Sequence, residues 1–232
     1  MPDEKRMVII PLMGGLGNQL FQFAAGLYTK KFSNKDVRFS LDGLNIAKNT
    51  ARSYMLGDLL KQSDLTVRGR FFLAIFRLCS FVFPSIWVSE REPNDTPLAR
   101  ITNSTKVLIG YFQSHDYVDS VAAEIIQSLT HSNTFRSLVL APTHNDLAVH
   151  LRFGDYLTSP DAKSFHGLTA MSYYIDGVNH LLSVDSFDRV VIYSDDPSKA
   201  YSDFTQAFES REIPVVLSAR SGEIEELTSM SS

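Results

Sequence analysis

Short apolar runs alternate with helical patterns along this chain, and this alternation constrains the fold more than any other sequence feature. Residues 8–12 form an apolar run, a glycine-rich turn follows, and residues 18–32 show the period of a helix. Further strand-like runs lie at 37–41 and 107–112, and a helical pattern covers 118–129. Strands that alternate with helices form mostly parallel sheets covered by helices, so the sequence predicts an α/β fold.

The alternation becomes more regular after a loop-like segment at 141–146. Strands are predicted at 147–151, 190–193 and 213–217, with helices at 169–182 (capped by Thr169) and 197–208. We therefore expect two domains. The N-terminal domain covers residues 1–143, and the C-terminal domain covers residues 144–232.

Composition excludes several classes of protein. The formal net charge is -4 over 232 residues, so no basic surplus favours nucleic acid. Cys79 is the single cysteine, which excludes a disulfide framework within the chain and suits a reducing compartment. The apolar run after the first six residues is too short for a secretory signal. These features together predict a cytoplasmic protein.

One long apolar stretch, residues 71–88, leaves three interpretations open. It is interrupted by Arg77 and Pro84, and its length is at the lower limit for a membrane span. A buried or surface-docked helix, a contact with a membrane surface and a true span all remain. Arg68 and Arg70 precede the stretch and favour the membrane-surface interpretation over a span.

The glycine-rich turn after the first strand is the first candidate site. It contains Gly14, Gly15 and Gly17, followed by the amides of Asn18 and Gln19. Glycines let backbone approach a ligand closely, and a helix N-terminus offers N–H groups to an anion or a sugar hydroxyl. The spacing differs from a dinucleotide-binding fingerprint. A tight structural turn explains the glycines alone, but it does not require the two amides.

The second candidate site lies at the end of the strand at 147–151. Strand alternation places His150 and Arg152 on one face, at the carboxyl end where ligands bind in open α/β sheets. An arginine there can hold a pyrophosphate through two parallel hydrogen bonds. Asp155 can orient Arg152 or act as a base. An Arg152–Asp155 structural ion pair beside a core histidine is the alternative.

The third candidate site follows the strand at 190–193. Ser194 and Asp195 stand at the strand's end, where they can hydrogen-bond a base or a ribose. Asp196 before Pro197 has the pattern of a helix N-cap with proline at the first helical position. The two aspartates are adjacent, so they do not form the Asp-x-Asp pattern of many metal-dependent sugar-nucleotide enzymes.

A fourth candidate is His166, which precedes Gly167 in a loop before the helix at 169–182. A histidine in such a loop is available to a substrate, although a structural role explains a single histidine equally well. Neither His166 nor the other histidines and aspartates have convincing metal-ligand spacing. We therefore predict that no metal is required.

Four sequence runs occur in the order seen in one enzyme family. They are GGLGNQLFQFAAG, HLRFGDY, an HG loop before a helix carrying Tyr173 and Tyr174, and YSDDP. Together they resemble glycosyltransferase family 11, the alpha-1,2-fucosyltransferases, over residues 7–30 and 147–200. The region from 40 to 140 resembles the family's variable acceptor side.

The resemblance implies a GT-B type enzyme with two Rossmann-like domains. Such enzymes transfer fucose from GDP-fucose to the 2-hydroxyl of a galactose-containing glycan, with inversion and without a metal or other cofactor. Leaving-group charge must be neutralised as the glycosidic bond breaks, and an arginine can do so without a metal. An inverting displacement also needs a group that takes the acceptor proton, which we assign to Asp155.

The resemblance also implies roles for the other candidate residues. Arg152 stabilises the departing diphosphate. His150, Ser194 and Asp195 hold the guanosine. The loop at 14–19 lines the cleft near the transferred sugar.

Two departures from the family pattern qualify these expectations. Phe153 stands where many members carry a second arginine. The family continues beyond a Glu-rich helix into an Asn-Ser-x-Phe-Ser-Trp-Trp segment, whereas this chain begins that helix at 222–227 and ends at Ser232, with Trp87 its single tryptophan. We therefore expect an incomplete second domain and weak activity. Two alternatives are a non-catalytic nucleotide- or glycan-binding module and a transferase that uses another GDP-sugar.

Overall fold

The structure is a computed structural model. It describes residues 7–45, 52–66, 70–79, 81–90, 95–136, 145–153, 169–208, 213–219 and 222–231. The chain divides into two compact units, Met1–Arg136 and Ser137–Ser232, and each unit contains its own cluster of buried apolar residues. The predicted linker at 141–146 falls mostly outside the described residues.

The first unit is built on a parallel sheet. Its strands are β1 (Met7–Pro11), β2 (Asp36–Ser40), β3 (Leu65–Thr66), β4 (Trp87–Ser89) and β5 (Val107–Ile109). Their order is β3-β2-β1-β5-β4, and every pairing is parallel. The central strand β1 is apolar and almost completely buried, as its run of valine and isoleucine requires. The predicted α/β fold with parallel sheets is confirmed.

Four α-helices accompany this sheet in the described residues. They are α1 (Leu16–Ser33), α2 (Arg70–Cys79), α3 (His115–Ser120) and α4 (Ala122–His131). α1 lies close to the sheet at Gly26, where a Cβ atom would come within 2.4 Å of the Phe39 ring. The single helix predicted at 118–129 is wrong. The buried Val121 leaves helical geometry with φ -128°, and this residue separates α3 from α4.

The long apolar stretch at 71–88 is divided among three elements. α2 ends at Cys79, a short 3-10 helix covers Pro84–Ile86, and β4 begins at Trp87. Pro84 starts the 3-10 helix, as expected for a residue that lacks a backbone N–H. Within the described residues, no helix has both the length and the hydropathy needed to cross a membrane.

The second unit contains a three-stranded parallel sheet. Its strands β6 (Asp146–Leu151), β7 (Arg189–Ser194) and β8 (Val215–Leu217) follow one another in the order β6-β7-β8. Helices α5 (Met171–Val184), α6 (Pro197–Ala207) and α7 (Glu223–Ser231) complete its described elements. Apolar residues of β6, β7, α5 and α6 form the buried cluster of this unit.

The predicted helix caps of this unit have different outcomes. Asp196 caps α6 as predicted, because its Oδ1 accepts a hydrogen bond from the backbone N–H of Lys199 at 3.2 Å. The prediction for Thr169 is wrong. Ala170 occupies the N-cap position of α5, and it makes no side-chain cap hydrogen bond.

Candidate functional site

The strand order places one candidate site at the carboxyl edge of the first unit's sheet. β1 has β2 on one side, reached through α1, and β5 on the other. α1 follows β1 and α3 follows β5, and these two helices pack against each other through the rings of Tyr28 and Tyr117. Ligands bind at the carboxyl ends of the strands in open α/β sheets. The loop at 12–15 and the loop at 110–114 lie at this edge.

Gly14 has a conformation and an environment that exclude a side chain. Its φ is +75°, in the left-handed region, and a Cβ atom would lie 2.3 Å from Nδ2 of Asn18. Gly17 differs, because a Cβ atom there would meet no heavy atom within 4 Å apart from its chain neighbours and the backbone of its own helix. The glycine turn thus folds beneath the Asn18 side chain and leaves Gly17 exposed.

The amide of Asn18 joins the loop after β1 to the loop after β5. Its Oδ1 accepts a hydrogen bond from Nε2 of Gln113 at 2.8 Å. Gln113 belongs to the loop after β5, which the sequence analysis did not select. The half-buried Asn18 and the exposed Gln113 therefore meet where the two loops come together, and their amide groups are suited to sugar hydroxyls.

Gln19 was expected to face a ligand, but its amide points into the protein. Its side chain is completely buried. Its Nε2 donates to the carbonyl oxygens of Gly14 at 3.0 Å and Ser53 at 2.9 Å, and its Oε1 accepts from the backbone N–H of Met55 at 3.0 Å. Gln19 therefore fastens the glycine turn to the segment at 52–56. Its role is to hold that turn in place.

Gln22 performs a similar function one helical turn later, and the sequence analysis missed it. Its Oε1 accepts from the backbone N–H of Met13 at 2.9 Å, and its Nε2 donates to the carbonyl oxygen of Gly110 at 2.9 Å. This completely buried side chain links the loops after β1 and β5. The available signal was the spacing of Gln19 and Gln22, since i and i+3 share a helix face that is otherwise apolar.

The loop after β5 is held by a carboxylate. Oε2 of Glu90 accepts hydrogen bonds from the backbone N–H groups of Tyr111 at 2.7 Å and Phe112 at 3.2 Å. Phe112 is completely buried and has φ +56°, an uncommon conformation for a bulky residue. Burial of the Phe112 ring together with the Glu90 bonds stabilises this conformation, and Tyr111 stays partly exposed beside it.

In the second unit, strand alternation sorts the side chains of β6. Leu147, Val149 and Leu151 are buried in the apolar cluster, while His150 and Arg152 are exposed on the other side of the strand. Arg152 directly follows the last residue of β6. The prediction that His150 and Arg152 share one face at the carboxyl end of this strand is confirmed.

The end of β7 lies directly beside the end of β6. Leu151 pairs with Ser194 in the parallel register, so Arg152 and Asp195 follow a matched pair of residues. Oδ1 of Asp195 accepts a hydrogen bond from the backbone N–H of Phe153 at 2.8 Å. The Asp195 carboxylate therefore fixes the chain just after Arg152, and its own side chain remains exposed.

Ser194 is buried at this edge. Its Oγ accepts a hydrogen bond from the backbone N–H of Asp196 at 3.0 Å, and its exposed fraction is 5%. A hydroxyl oxygen can accept this bond and still donate its own proton. The end of β7 is therefore polar: Ser194 shapes the turn that follows it, and Asp195 presents an exposed carboxylate.

A lysine that the sequence analysis missed brings positive charge to the same corner. Nζ of Lys199, in the first turn of α6, lies 5.2 Å from the centre of the Phe153 ring. The ammonium also pairs with Asp203 at 2.6 Å, one turn further along the helix. Lys199 therefore places a cation beside Phe153, the position where many members of the resembled family carry an arginine.

Two predicted site residues, Asp155 and His166, lie outside the described residues. Their proposed roles stay predictions. In the described part of the chain, no group of three or more histidine, cysteine, aspartate or glutamate side chains is arranged to hold a metal ion.

Among solved structures, the chain is similar to POFUT1 in a crystal structure of its complex with GDP. The sequence identity is 14%, the match covers 98% of this chain and 89% of that chain, and the TM-score is 0.43. No protein-family model matches the chain.

Two curated proteins of Escherichia coli are similar in sequence. One is the O-antigen biosynthesis glycosyltransferase WbnK, which is 28% identical over 230 residues, covering 83% of this chain and 74% of that protein. The other is an alpha-1,2-colitosyltransferase, which is 28% identical over 210 residues, covering 82% of this chain and 69% of that protein. The chain is therefore related in sequence to two bacterial glycosyltransferases.

Proposed function

We propose that this protein is a glycosyltransferase that moves fucose from GDP-fucose to the 2-hydroxyl of a galactoside. The observation that carries the proposal is the polar corner at the ends of β6 and β7. There Arg152 and Asp195 directly follow a pair of matched strand ends, and His150, Arg152 and Asp195 are all exposed. The relationship to two bacterial glycosyltransferases supports it. Each unit would be one Rossmann-like domain of the GT-B type.

Arg152 is the group that we assign to the leaving diphosphate. It follows β6 directly, and the hydrogen bond from Phe153 to Asp195 fixes the backbone next to it. A planar guanidinium can bind two phosphate oxygens at once, and it stabilises the negative charge that grows as the sugar departs. This charge compensation is what allows the proposed inverting reaction to proceed without a metal.

His150, Ser194 and Asp195 are assigned to the guanosine. The Asp195 carboxylate can accept hydrogen bonds from the N–H groups of guanine or from a ribose hydroxyl, and the exposed His150 on the neighbouring strand offers a ring nitrogen. Uracil presents a different pattern of donors and acceptors. Asp195 and His150 therefore provide a physical basis for selecting GDP over UDP.

The first unit is assigned to sugar recognition. The Asn18 amide, supported by Gly14 beneath it, would bind sugar hydroxyls, while Gln19 acts indirectly by holding the turn. Asp155 is the proposed base for the acceptor proton, and His166 is proposed to contact substrate.

A second candidate is the same chemistry with another GDP-linked sugar. The observation that favours it is the relationship to an alpha-1,2-colitosyltransferase, a protein named for the transfer of a different sugar. The two candidates share the nucleotide site and differ in the residues that touch the donor sugar.

The test is release of GDP with a panel of donors and a galactose-terminated oligosaccharide, in the presence of a chelator. GDP release from GDP-fucose that depends on the acceptor supports the first candidate. Release from another GDP-sugar alone supports the second. Arg152→Ala is the test variant, and Arg189→Ala, which removes an arginine paired with Asp146 at the opposite strand end, is the matched control. GDP binding without any transfer would instead identify a non-catalytic binding module.

A further inference from the structure

Five apolar side chains protrude into solvent around the end of α2. Ile75 and Leu78 are 59% and 70% exposed, and Phe81, Val82 and Phe83 are 81%, 72% and 58% exposed. We call these five residues the apolar tip. Exposure of several large apolar groups in one short segment is costly in water, and such contiguous patches mark interaction surfaces.

The backbone of the apolar tip is ordered by hydrogen bonds. The N–H of Phe81 donates to the carbonyl oxygen of Leu78 at 3.2 Å, and the N–H of Phe83 donates to that of Cys79 at 2.9 Å. Ile75 and Leu78 are three positions apart in the sequence (i and i+3), so they share one face of the helix. The tip therefore combines a helix face with the turn that follows it, and both present exposed apolar side chains.

The sequence segment that contains the apolar tip carries charge of one sign. Residues 65–89 contain three arginines and no aspartate or glutamate, although the whole chain has a formal net charge of -4. Arg77 lies within α2 between Ile75 and Leu78, and it is exposed like them. The segment is therefore both cationic and apolar, on a chain that is otherwise acidic. These two properties are complementary to a surface with anionic groups on the outside and apolar groups beneath them.

We infer that the apolar tip docks onto an anionic lipid bilayer, with α2 lying along its surface. α2 has ten residues and is about 15 Å long, which is too short to span a membrane and suited to an interfacial position. The three consecutive side chains at 81–83 are all exposed, and a fluid interface accommodates them without a preformed pocket. This inference does not depend on the proposed transferase activity.

The experiment is flotation of the full chain with vesicles of phosphatidylcholine alone or mixed with phosphatidylglycerol. The chain is expected to float with the anionic vesicles. The double variant Phe81→Ser/Phe83→Ser is expected to bind them at least tenfold more weakly, because each buried aromatic ring contributes strongly to transfer from water. Arg77→Gln is expected to reduce binding about fivefold on anionic vesicles only.

The matched control is Ile126→Ser/Val184→Ser, which removes two exposed apolar side chains outside the apolar tip. It should float like the unmodified chain. Circular dichroism and the melting temperature establish that all variants fold. Absence of flotation, or equal flotation of both double variants, would overturn the inference. Sedimentation showing that the chain is a dimer that only Phe81→Ser/Phe83→Ser disrupts, without vesicle binding, would assign the tip to a second copy and also overturn it.

Discussion

Replacing Gln19 with leucine removes an amide that joins three backbone groups inside the first unit. The change leaves the carbonyl oxygens of Gly14 and Ser53 and the N–H of Met55 without this partner. An unsatisfied buried backbone group costs about 1–3 kcal/mol. These groups are partly buried, so solvent recovers part of the loss, and we expect a total of about 2–4 kcal/mol.

The assay is thermal unfolding followed by circular dichroism. For a unit of this size, the expected loss lowers the melting temperature by about 6–15 °C. Gln113→Ala is the matched control, because it removes an amide whose bond to Asn18 is exposed. The control should change stability by about 0.5 kcal/mol or less. An unchanged melting temperature for Gln19→Leu, together with reduced transferase activity, would refute the structural role of Gln19 and restore it as a ligand contact.

Three further predictions concern single residues. Arg152→Ala should weaken GDP binding about 10- to 100-fold, measured by calorimetry, because charge-assisted bonds to phosphate contribute about 1.5–3 kcal/mol; unchanged affinity would make Arg152 structural. In a urea titration, Gly14→Ala should destabilise the first unit by about 1–3 kcal/mol, because Gly14 has a positive φ and a Cβ atom there would clash with Asn18. In the same titration Gly17→Ala should be close to neutral. The pKa of Asp58 is lowered because its carboxylate accepts a side-chain and two backbone hydrogen bonds. Its contribution to stability is therefore full above the unfolded pKa of about 4 and is lost as the pH falls below it toward the lower folded pKa. Asp58→Asn should flatten that acid dependence, and identical acid denaturation profiles would contradict this explanation.

The helices and strands could be predicted from the sequence wherever the local pattern of apolar residues determines their type and length. The strands at β1, β2, β6 and β7 agree with the predicted runs within one or two residues. β1 and β7 are nearly continuous apolar runs, which suit a buried parallel strand, whereas β2 and β6 alternate between buried apolar and more exposed residues. The strand predicted at 107–112 ends early at Ile109. Its last residues leave the extended conformation when Phe112 adopts a positive φ, and this depends on the distant Glu90. The very short β3 and β4 have too few residues to show a pattern.

The candidate site was predictable where it depends on strand alternation. The shared exposed face of His150 and Arg152 follows directly from period-two geometry. Gln19 was placed at the mouth of the turn, but helical geometry turns it inward toward Ser53 and Met55, which lie more than thirty residues away. Lys199 was missed because its position over Phe153 requires β6 and β7 to be neighbours.

Calorimetric titration of the chain with GDP and with UDP, each in the presence of a chelator, tests the proposed donor site most directly. The account predicts that GDP binds without a metal and that UDP binds at least tenfold more weakly, because the Asp195 and His150 pair is assigned to guanine. Equal affinity for the two nucleotides, or binding of GDP only after magnesium is added, would contradict the assignment of this strand edge.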